Sequence, residues 1–169
     1  CALPIFPIYE GYSLPHAIMR VDIAGRDMTE HMMKLLMGEG YSFTTSAEKE
    51  IVRSVKEATA YVAMNYAEEL EAFNDGMKID YELPDGQVMS VGKPRFMTPE
   101  ALFKPSMIGL EALGIHEMTA KSIKRCDIDV RRDLFGNIVM SGGTTMYNGM
   151  AERLQAEVTE LAEASVKPR

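Results

Sequence analysis

The sequence predicts one domain of the α/β or α+β class, because strand-like and helix-like segments alternate along a chain of 169 residues. Apolar and polar residues alternate with a period of two at 19–23 and 79–83, as in strands with one buried face. Apolar residues recur every three or four positions at 28–36, 51–62 and 150–161, which predicts amphipathic helices. Elements of both kinds bury their apolar faces by packing on one another.

The first two helices carry signals for their N-termini. Two residue pairs have the spacing of an N-cap residue and its reciprocal partner three positions later: Asp27 with Glu30, and Thr45 with Glu48. The first helix should end at Gly38 or Gly40, because glycine favours helix C-termini. The second should bury an apolar stripe that runs from Ile51 as far as Tyr66.

Turn residues indicate where the strands connect. A turn at Glu10-Gly11 predicts a hairpin that ends in the strand at 19–23. The Pro-Asp-Gly sequence at 84–86 predicts a second hairpin, which joins the strand at 79–83 to an apolar strand at 88–91.

The next segments alternate between helix and apolar loop. Thr98 followed by Pro99 predicts a helix that begins there and ends near Pro105. The apolar residues 107–110 have no clear period, so they are either tucked into the core or offered to a partner. Residues 138–140 predict a buried strand ahead of the helix at 150–161.

Composition argues against several classes of function. The chain has 18 Lys and Arg against 25 Asp and Glu, a net charge of −7, which does not favour nucleic acid or an anionic membrane as partner. Charges interrupt every apolar stretch, so no membrane span is predicted. Cys1 and Cys126 predict neither a disulfide framework nor a zinc site, which fits a reducing compartment. No signal peptide is recognised, and the missing initiator Met suggests a fragment or a processed product.

Two local features could carry ligand chemistry. The Gly-Gly sequence at 142–143 precedes a predicted helix, and such a loop is either a tight turn or a place where backbone N–H groups approach a ligand. Glu50, Arg53, Lys56 and Glu57 share one helix face, which is either a ligand surface or a solvated face with weak ion pairs. The histidine spacings predict neither a metal site nor a catalytic triad.

Several segments, in the same order, resemble the actin family closely. They include PIYEGY at 7–12, AGRD at 24–27, GYSFTT at 40–45, YELPDGQ at 81–87 and MSGGTTMY at 140–147. The resemblance extends from Pro7 to the C-terminus, and a long ordered series of matches is far more specific than a single motif. The sequence is therefore identified as a member of this family, from the second half of the molecule.

The resemblance implies a particular architecture. It predicts an α/β fold in which an RNase H-like half, of the type shared by actin, hexokinase and the heat-shock-protein ATPase, carries an inserted smaller α+β subdomain. By this resemblance, residues 1–23 and 111–169 belong to the inner ATPase-type subdomain, similar to actin subdomain 3. Residues 24–110 belong to the outer subdomain, similar to actin subdomain 4.

The resemblance also implies a ligand, ATP or ADP, with Mg²⁺ bound in the parent protein. The residues implied on the adenosine side of the nucleotide cleft are Gly25, Arg53, Lys56, Glu57, Gly142, Gly143, Thr144, Met146 and Tyr147. No catalytic residue or metal ligand is implied here, since the family holds phosphates and Mg²⁺ on glycine-rich hairpins that precede this region. The parent should be a slow ATPase coupled to polymerisation, and this segment should be inactive alone.

The implied partners are other copies in a cytoskeletal filament, actin-binding proteins and myosin-type motors, in the cytoplasm. The apolar loop at 103–115 is similar to the hydrophobic plug between filament strands, and filament contacts are implied at 45–46, 84–86, 127–129 and 163–166. The alternative is an actin-related protein that serves as a subunit of a chromatin or motor-adaptor complex. Departures from the family pattern are residues 1–6, a shortened loop at 73–78, and Asn148 in place of a proline.

Overall fold

A computed structural model of the chain describes residues 2–162. Within these residues, six short strands form three antiparallel pairs. The pairs are β1 (Leu3–Ile5) with β4 (Met19–Val21), β2 (Ile8–Tyr9) with β3 (Tyr12–Ser13), and β5 (Ile79–Glu82) with β6 (Val88–Val91). The filament contact implied at 163–166 lies outside the described residues.

Helices make up most of the remaining structure. They are α1 (Gly25–Gly38), α2 (Ser46–Thr59), α3 (Tyr66–Ala72), α4 (Pro94–Phe103), α5 (Ile115–Lys124), α6 (Ile128–Gly136) and α7 (Met150–Leu161). Short 3₁₀ turns occur at Pro15–Ala17, Asp75–Met77, Pro105–Ile108 and Gly143–Met146. In the part of the chain that is described, no helix combines the length and apolarity needed to span a bilayer.

Two clusters of buried apolar side chains hold these elements together. The larger packs α4, α5 and α7 around Phe103, Phe135 and Leu154. The smaller packs α1 and α2 on the β5–β6 hairpin around Leu36 and Val55. The smaller cluster lies wholly within 24–110, whereas the larger draws residues from both predicted subdomains. The division into inner and outer subdomains stays a prediction.

Helix α2 begins where its capping signal predicts. Thr45 Oγ1 accepts a hydrogen bond from Glu48 N at 3.2 Å, and Glu48 Oε2 accepts one from Thr45 N at 2.7 Å. The predicted continuation of its stripe to Tyr66 is wrong, because the helix ends at Thr59. The chain is extended from Ala60, and the backbone N–H of Val62 donates a hydrogen bond to Asn148 O, which lies far away in the sequence.

Helix α1 ends at Gly38, as predicted, but the predicted capping residue lies almost one turn past the true start. Asp27 is at position N3 and not at the N-cap, and its Oδ2 accepts a hydrogen bond from Ala24 N at 2.8 Å. The side chain thus satisfies one of the backbone donors that every helix N-terminus leaves without a partner inside the helix. The prediction that Asp27 caps this helix end is therefore correct, and only the position of Asp27 within the helix is wrong.

Helix α4 ends where the sequence predicts but begins earlier, at Pro94, so that Pro99 lies inside it. Proline has no N–H, and its presence in a helix leaves the carbonyl four residues earlier without its usual donor. That carbonyl belongs to Arg95, and it accepts a hydrogen bond from Tyr61 N at 3.2 Å. A tertiary partner therefore replaces the missing bond, which explains how the helix continues through a residue that normally begins or breaks one.

Predictions for the strands are confirmed in part. The β5–β6 hairpin forms as expected, and the Glu10-Gly11 turn joins β2 to β3, whereas β4 pairs with β1. The buried strand predicted at 138–140 is wrong: no strand forms there, and Val139 is 90% exposed. Ile138 and Met140 still pack on the larger cluster while Val139 points to solvent. The side chains therefore alternate as in a strand, although no strand lies beside them in the described residues. Helix α6 has no counterpart among the predicted elements.

The contact of α1 with α4 buries a histidine. His31 is 7% exposed, and its Nε2 has no hydrogen-bond partner within the part of the chain that the structure describes. Burial lowers the pKa of His31, with a smaller contribution from Lys34 in the same direction and an opposing one from the backbone of Met97. The folded chain therefore disfavours the imidazolium form, whose charge would be placed between two helices.

We expect acid to destabilise the chain through His31. As the pH falls below about 6.5, His31 of the unfolded chain binds a proton that the folded chain does not, and the free energy of unfolding falls until the lowered folded pKa is reached. His31→Phe should reduce this dependence in urea unfolding experiments between about pH 7 and 5. It should not remove it, because burial also lowers the pKa of His116. The control is His16→Phe at an exposed position, and equal slopes in wild type and His31→Phe would contradict the prediction.

Candidate functional site

A cleft of about 860 Å³ opens where three elements meet: the N-terminus of α1, the polar face of α2 and the Gly143–Met146 turn. Eight of the nine residues implied by the resemblance line it: Gly25, Arg53, Lys56, Glu57, Gly143, Thr144, Met146 and Tyr147. The ninth, Gly142, directly precedes the turn and is not in the lining. The cleft thus joins one helix face to a loop that is distant in sequence.

Seven further residues complete the lining: Arg26, Thr29, Lys49, Glu50, Ala58, Ala60 and Asn148. Helical spacing identifies some of them, since Thr29 follows Gly25 by four residues and Lys49 precedes Arg53 by four. Ala60 also follows Lys56 by four residues, whereas Asn148 carries no such signal. They meet because Tyr61 forms an isolated parallel bridge with Asn148, which is a tertiary contact.

Lys56 lies at the base of the cleft with little exposure. Its Nζ donates hydrogen bonds to Gly25 O at 3.0 Å and to Thr29 Oγ1 at 3.1 Å. An ammonium group has three N–H donors, so these two bonds leave one of them for another acceptor. Burial lowers the pKa of Lys56, and the charge of Glu57 opposes this effect. The interpretation of Lys56 as part of a solvated polar face is therefore wrong.

Arg53 has a different environment from Lys56. It forms ion pairs with Glu57 Oε1 at 3.0 Å and Glu50 Oε2 at 3.3 Å, and all three side chains are exposed. Exposed pairs of this kind are screened by solvent and contribute little to stability. All three side chains line the cleft.

The loop that closes the cleft depends on two glycines with positive φ. Gly142 has a φ of 104° and its carbonyl accepts hydrogen bonds from both the backbone N and the Oγ1 of Thr145. Gly149 has a φ of 82° and lies against Val62, whose N–H donates to Asn148 O at 2.8 Å. A Cβ atom on Gly149 would lie 2.5 Å from Val62 O, so only glycine fits at this point.

Aromatic and apolar side chains complete the loop side of the cleft. Burial, together with the charge of Glu57, raises the pKa of Tyr147 well above its ordinary value, so its hydroxyl stays protonated and can donate a hydrogen bond. Met146 is among the most exposed apolar side chains of the described residues, at 81%. An exposed thioether beside a partly buried phenol gives a surface on which a flat, partly apolar ring could pack.

The charges around the cleft favour an anionic ligand. Four cationic side chains (Arg26, Lys49, Arg53 and Lys56) and two carboxylates (Glu50 and Glu57) line the cleft, although the whole chain is acidic. Lys49 also pairs with Glu30 outside the lining, which leaves Arg26 and Lys56 as the cations that no carboxylate of the described residues pairs with. Among the described residues, no group of three or more His, Cys, Asp or Glu side chains could hold a metal ion. Within those residues the cleft offers donors and cations to a ligand, and no metal centre of its own.

The family model for actin matches residues 3–169. The chain belongs to the actin family. The match begins at Leu3, so it includes four of the six N-terminal residues that depart from the pattern of the family. Membership fits the mixed helix and strand content of the fold and makes this an actin or actin-like protein, in a family whose members bind nucleotides.

Proposed function

We propose that this chain supplies the adenosine side of the ATP cleft in a filament-forming actin. The observation that carries the proposal is the meeting of the α2 face with the Gly143–Met146 turn in one cleft with an excess of cationic side chains. Tyr147 and Met146 offer a surface for a purine ring, and Lys56 has an unassigned N–H donor for a ribose or phosphate oxygen.

Phosphoryl transfer belongs to the parent protein in this proposal. Hydrolysis requires the metal, the phosphates and the attacking water to be held together. The cleft residues bind and orient the nucleoside, whereas the phosphate hairpins and Mg²⁺ are expected from the preceding half of the actin molecule. We assign no catalytic residue to this chain, and we expect ATP hydrolysis to be slow and coupled to assembly.

The experiment that tests this function is a substitution at Lys56. Lys56→Met keeps the length of the side chain and removes its charge and its donors. Since hydrogen bonds to charged groups contribute about 1.5–3 kcal/mol, the affinity of the full-length protein for a fluorescent ATP analogue should fall about 10- to 100-fold.

A matched control for this substitution is Lys104→Met, which removes an exposed lysine outside the cleft. Its affinity for the analogue should equal that of the wild type. Unchanged binding in Lys56→Met, with both proteins folded, would show that the nucleotide does not occupy this cleft.

The finer architecture is also part of the proposal. We infer that the RNase H-like sheet of the inner subdomain is completed by strands from the rest of the parent protein. Two observations support this: among residues 2–162, β4 is paired only with β1, and residues 138–140 alternate like a strand without a partner. Both features fit a sheet of which this chain carries only some of the strands.

The proposed partners are further copies in a cytoskeletal filament, actin-binding proteins and myosin-type motors, in the cytoplasm. The alternative within the family is an actin-related protein that serves as a subunit of a chromatin or motor-adaptor complex. Nucleotide binding does not distinguish the two. Polymerisation of the full-length protein does, because a filament-forming actin assembles on its own above a critical concentration and a dedicated subunit does not.

A further inference from the structure

A buried ion-pair cluster surrounds Arg153, which lies on α7 and is 7% exposed. Its guanidinium donates to Glu157 Oε1 at 2.6 Å and to Ala63 O at 2.6 Å. It also donates to both carboxylate oxygens of Glu100, from Nη1 and from Nη2, each at 3.1 Å. We call Arg153, Glu100, Glu157 and the Ala63 carbonyl the Arg153 clamp. The clamp joins α7, α4 and the segment that follows α2.

Stability alone does not explain the clamp. Burial raises the pKa of Glu100, with Arg153 opposing this effect, so the desolvation of the carboxylate outweighs the attraction of the guanidinium. Apolar side chains of similar volume often stabilise a core as well as a buried ion pair does. What the pair adds is geometry, because a planar guanidinium that bonds both oxygens of one carboxylate has a fixed position and orientation.

One side of the clamp reaches the cleft. Ala63 follows the cleft residue Ala60 by three positions, in an extended segment between α2 and α3. That segment is tied to the cleft loop by the hydrogen bond from Val62 N to Asn148 O. A ligand that displaces Ala60 or Asn148 therefore acts on the same short segment that carries the Ala63 carbonyl bonded to Arg153.

The other side of the clamp reaches the apolar loop at 104–114. The guanidinium carbon of Arg153 lies 4.7 Å from the ring centroid of Phe103, the last residue of α4. The Phe103 ring packs on the His116 ring with centroids 5.6 Å apart, and His116 lies in the first turn of α5. His116 Nε2 is 3.9 Å from Glu157 Oε2. Phe103 and His116, which flank the loop, thus contact the clamp and each other.

We propose that Arg153 is a positioning residue that couples occupancy of the cleft to the conformation of the apolar loop at 104–114. A movement of the cleft wall at Ala60 that is transmitted along the segment to Ala63 pulls the guanidinium, which cannot follow without breaking its bonds to Glu100 or shifting the ring of Phe103. The loop then moves with its two flanking residues. The identity of the ligand in this coupling rests on the proposed function.

Hydrogen exchange of the loop amides in the full-length protein, with and without ATP, tests the coupling. In the wild type, ATP should change the exchange rates at 106–113 by at least about fivefold, the lower range of measured couplings between sites. The double variant Arg153→Met with Glu100→Gln removes the pair without leaving a buried carboxylate uncompensated. In this variant ATP should still bind, but the change it causes in loop exchange should fall below about twofold. A purely structural role would raise exchange equally with and without ATP.

Two further variants keep the test decisive. Arg132→Met, on an exposed position of α6, should retain the full response. Arg153→Lys serves if the double variant does not fold, since lysine keeps the charge but cannot make the paired bonds to Glu100, and its response should be reduced. A normal response in either folded clamp variant, or no loop response in a wild type that binds ATP, would overturn the coupling.

Failure of the wild type to bind ATP would instead overturn the proposed function. The coupling is then tested with Gly149→Ala, which displaces the cleft loop directly through Val62. This substitution should change loop exchange when Arg153 is present and leave it unchanged in the double clamp variant. An equal change in both backgrounds would overturn the coupling.

Discussion

Replacement of Gly149 by alanine is expected to lower the affinity of the full-length protein for ATP by at least about tenfold. The residue has a φ of 82°, which costs a non-glycine residue about 1–2 kcal/mol, and its new Cβ would lie 2.5 Å from Val62 O. The loop at Gly149 must then move away from the segment at Val62. This movement breaks the hydrogen bond from Val62 N to Asn148 O, which joins the two sides of the cleft. The affinity falls because the free variant relieves the strain by moving the cleft loop, and binding must restore the strained geometry at a cost of about 1–2 kcal/mol. About 1.4 kcal/mol corresponds to tenfold in affinity.

Gly86 provides the matched control, because it has the same φ of 82° and a Cβ atom there would meet no heavy atom within 4 Å. Gly86→Ala should cost only the conformational strain and should leave the affinity for ATP unchanged. Titration with a fluorescent ATP analogue and urea unfolding of both variants separate the two effects. Equal affinities in Gly149→Ala and Gly86→Ala would mean that the bridge between Val62 and Asn148 does not shape the cleft.

Local signals in the sequence locate a helix end when the residues that determine it are close together in the chain, and they miss it when its partner is distant. The Thr45 and Glu48 pair predicts the start of α2, since the capping bonds involve residues three positions apart. The end of α2 depends on Val62 N and its distant acceptor, which no local pattern encodes. The same holds for Pro99, which is tolerated inside α4 because Tyr61 N supplies the missing donor from another segment.

The candidate site also has one part that local sequence patterns predict and one part that they do not. Helical spacing places Arg53, Lys56 and Glu57 on one face of α2, but it does not reveal that Lys56 is buried against Gly25. The approach of that face to the loop at 142–147 is implied only by the resemblance to actin. Periodicity describes one element at a time, whereas a cleft is a relation between elements that depends on long-range contacts such as the bridge at Tyr61 and Asn148.

The apolar loop shows how burial changes a prediction. The resemblance implies a hydrophobic plug over 103–115, but Phe103 and Ile115 are buried in the larger cluster, and Met107 and Ile108 pack partly against it. The apolar surface left exposed in this loop is that of Leu110 and Leu113, at 38% and 37%. The sequence leaves open whether residues 107–110 pack into the core or face a partner, and the structure shows both. Met107 and Ile108 pack against the core, and Leu110 is exposed.

Leu110→Asp in the full-length protein is expected to raise the critical concentration for filament formation by at least about tenfold. If the outward apolar face of the loop is buried between strands of a filament, an unpaired carboxylate there costs several kcal/mol. The same charge remains hydrated in the monomer, so the free energy of unfolding should change by no more than about 0.5 kcal/mol. Ile108→Asp should instead destabilise the monomer, because Ile108 packs partly on the larger cluster.

Sedimentation of filaments and urea unfolding of monomers measure the two quantities separately. Met64→Asp is the matched control, since it places a carboxylate at another exposed apolar side chain, 54% accessible and outside the loop. It should leave the critical concentration unchanged. An unchanged critical concentration in Leu110→Asp would remove this loop from the filament contact, and a wild type that never polymerises would favour the actin-related alternative. If Leu110→Asp instead destabilises the monomer, then Leu110 packs on the core as Ile108 does, and it does not form a contact with a partner.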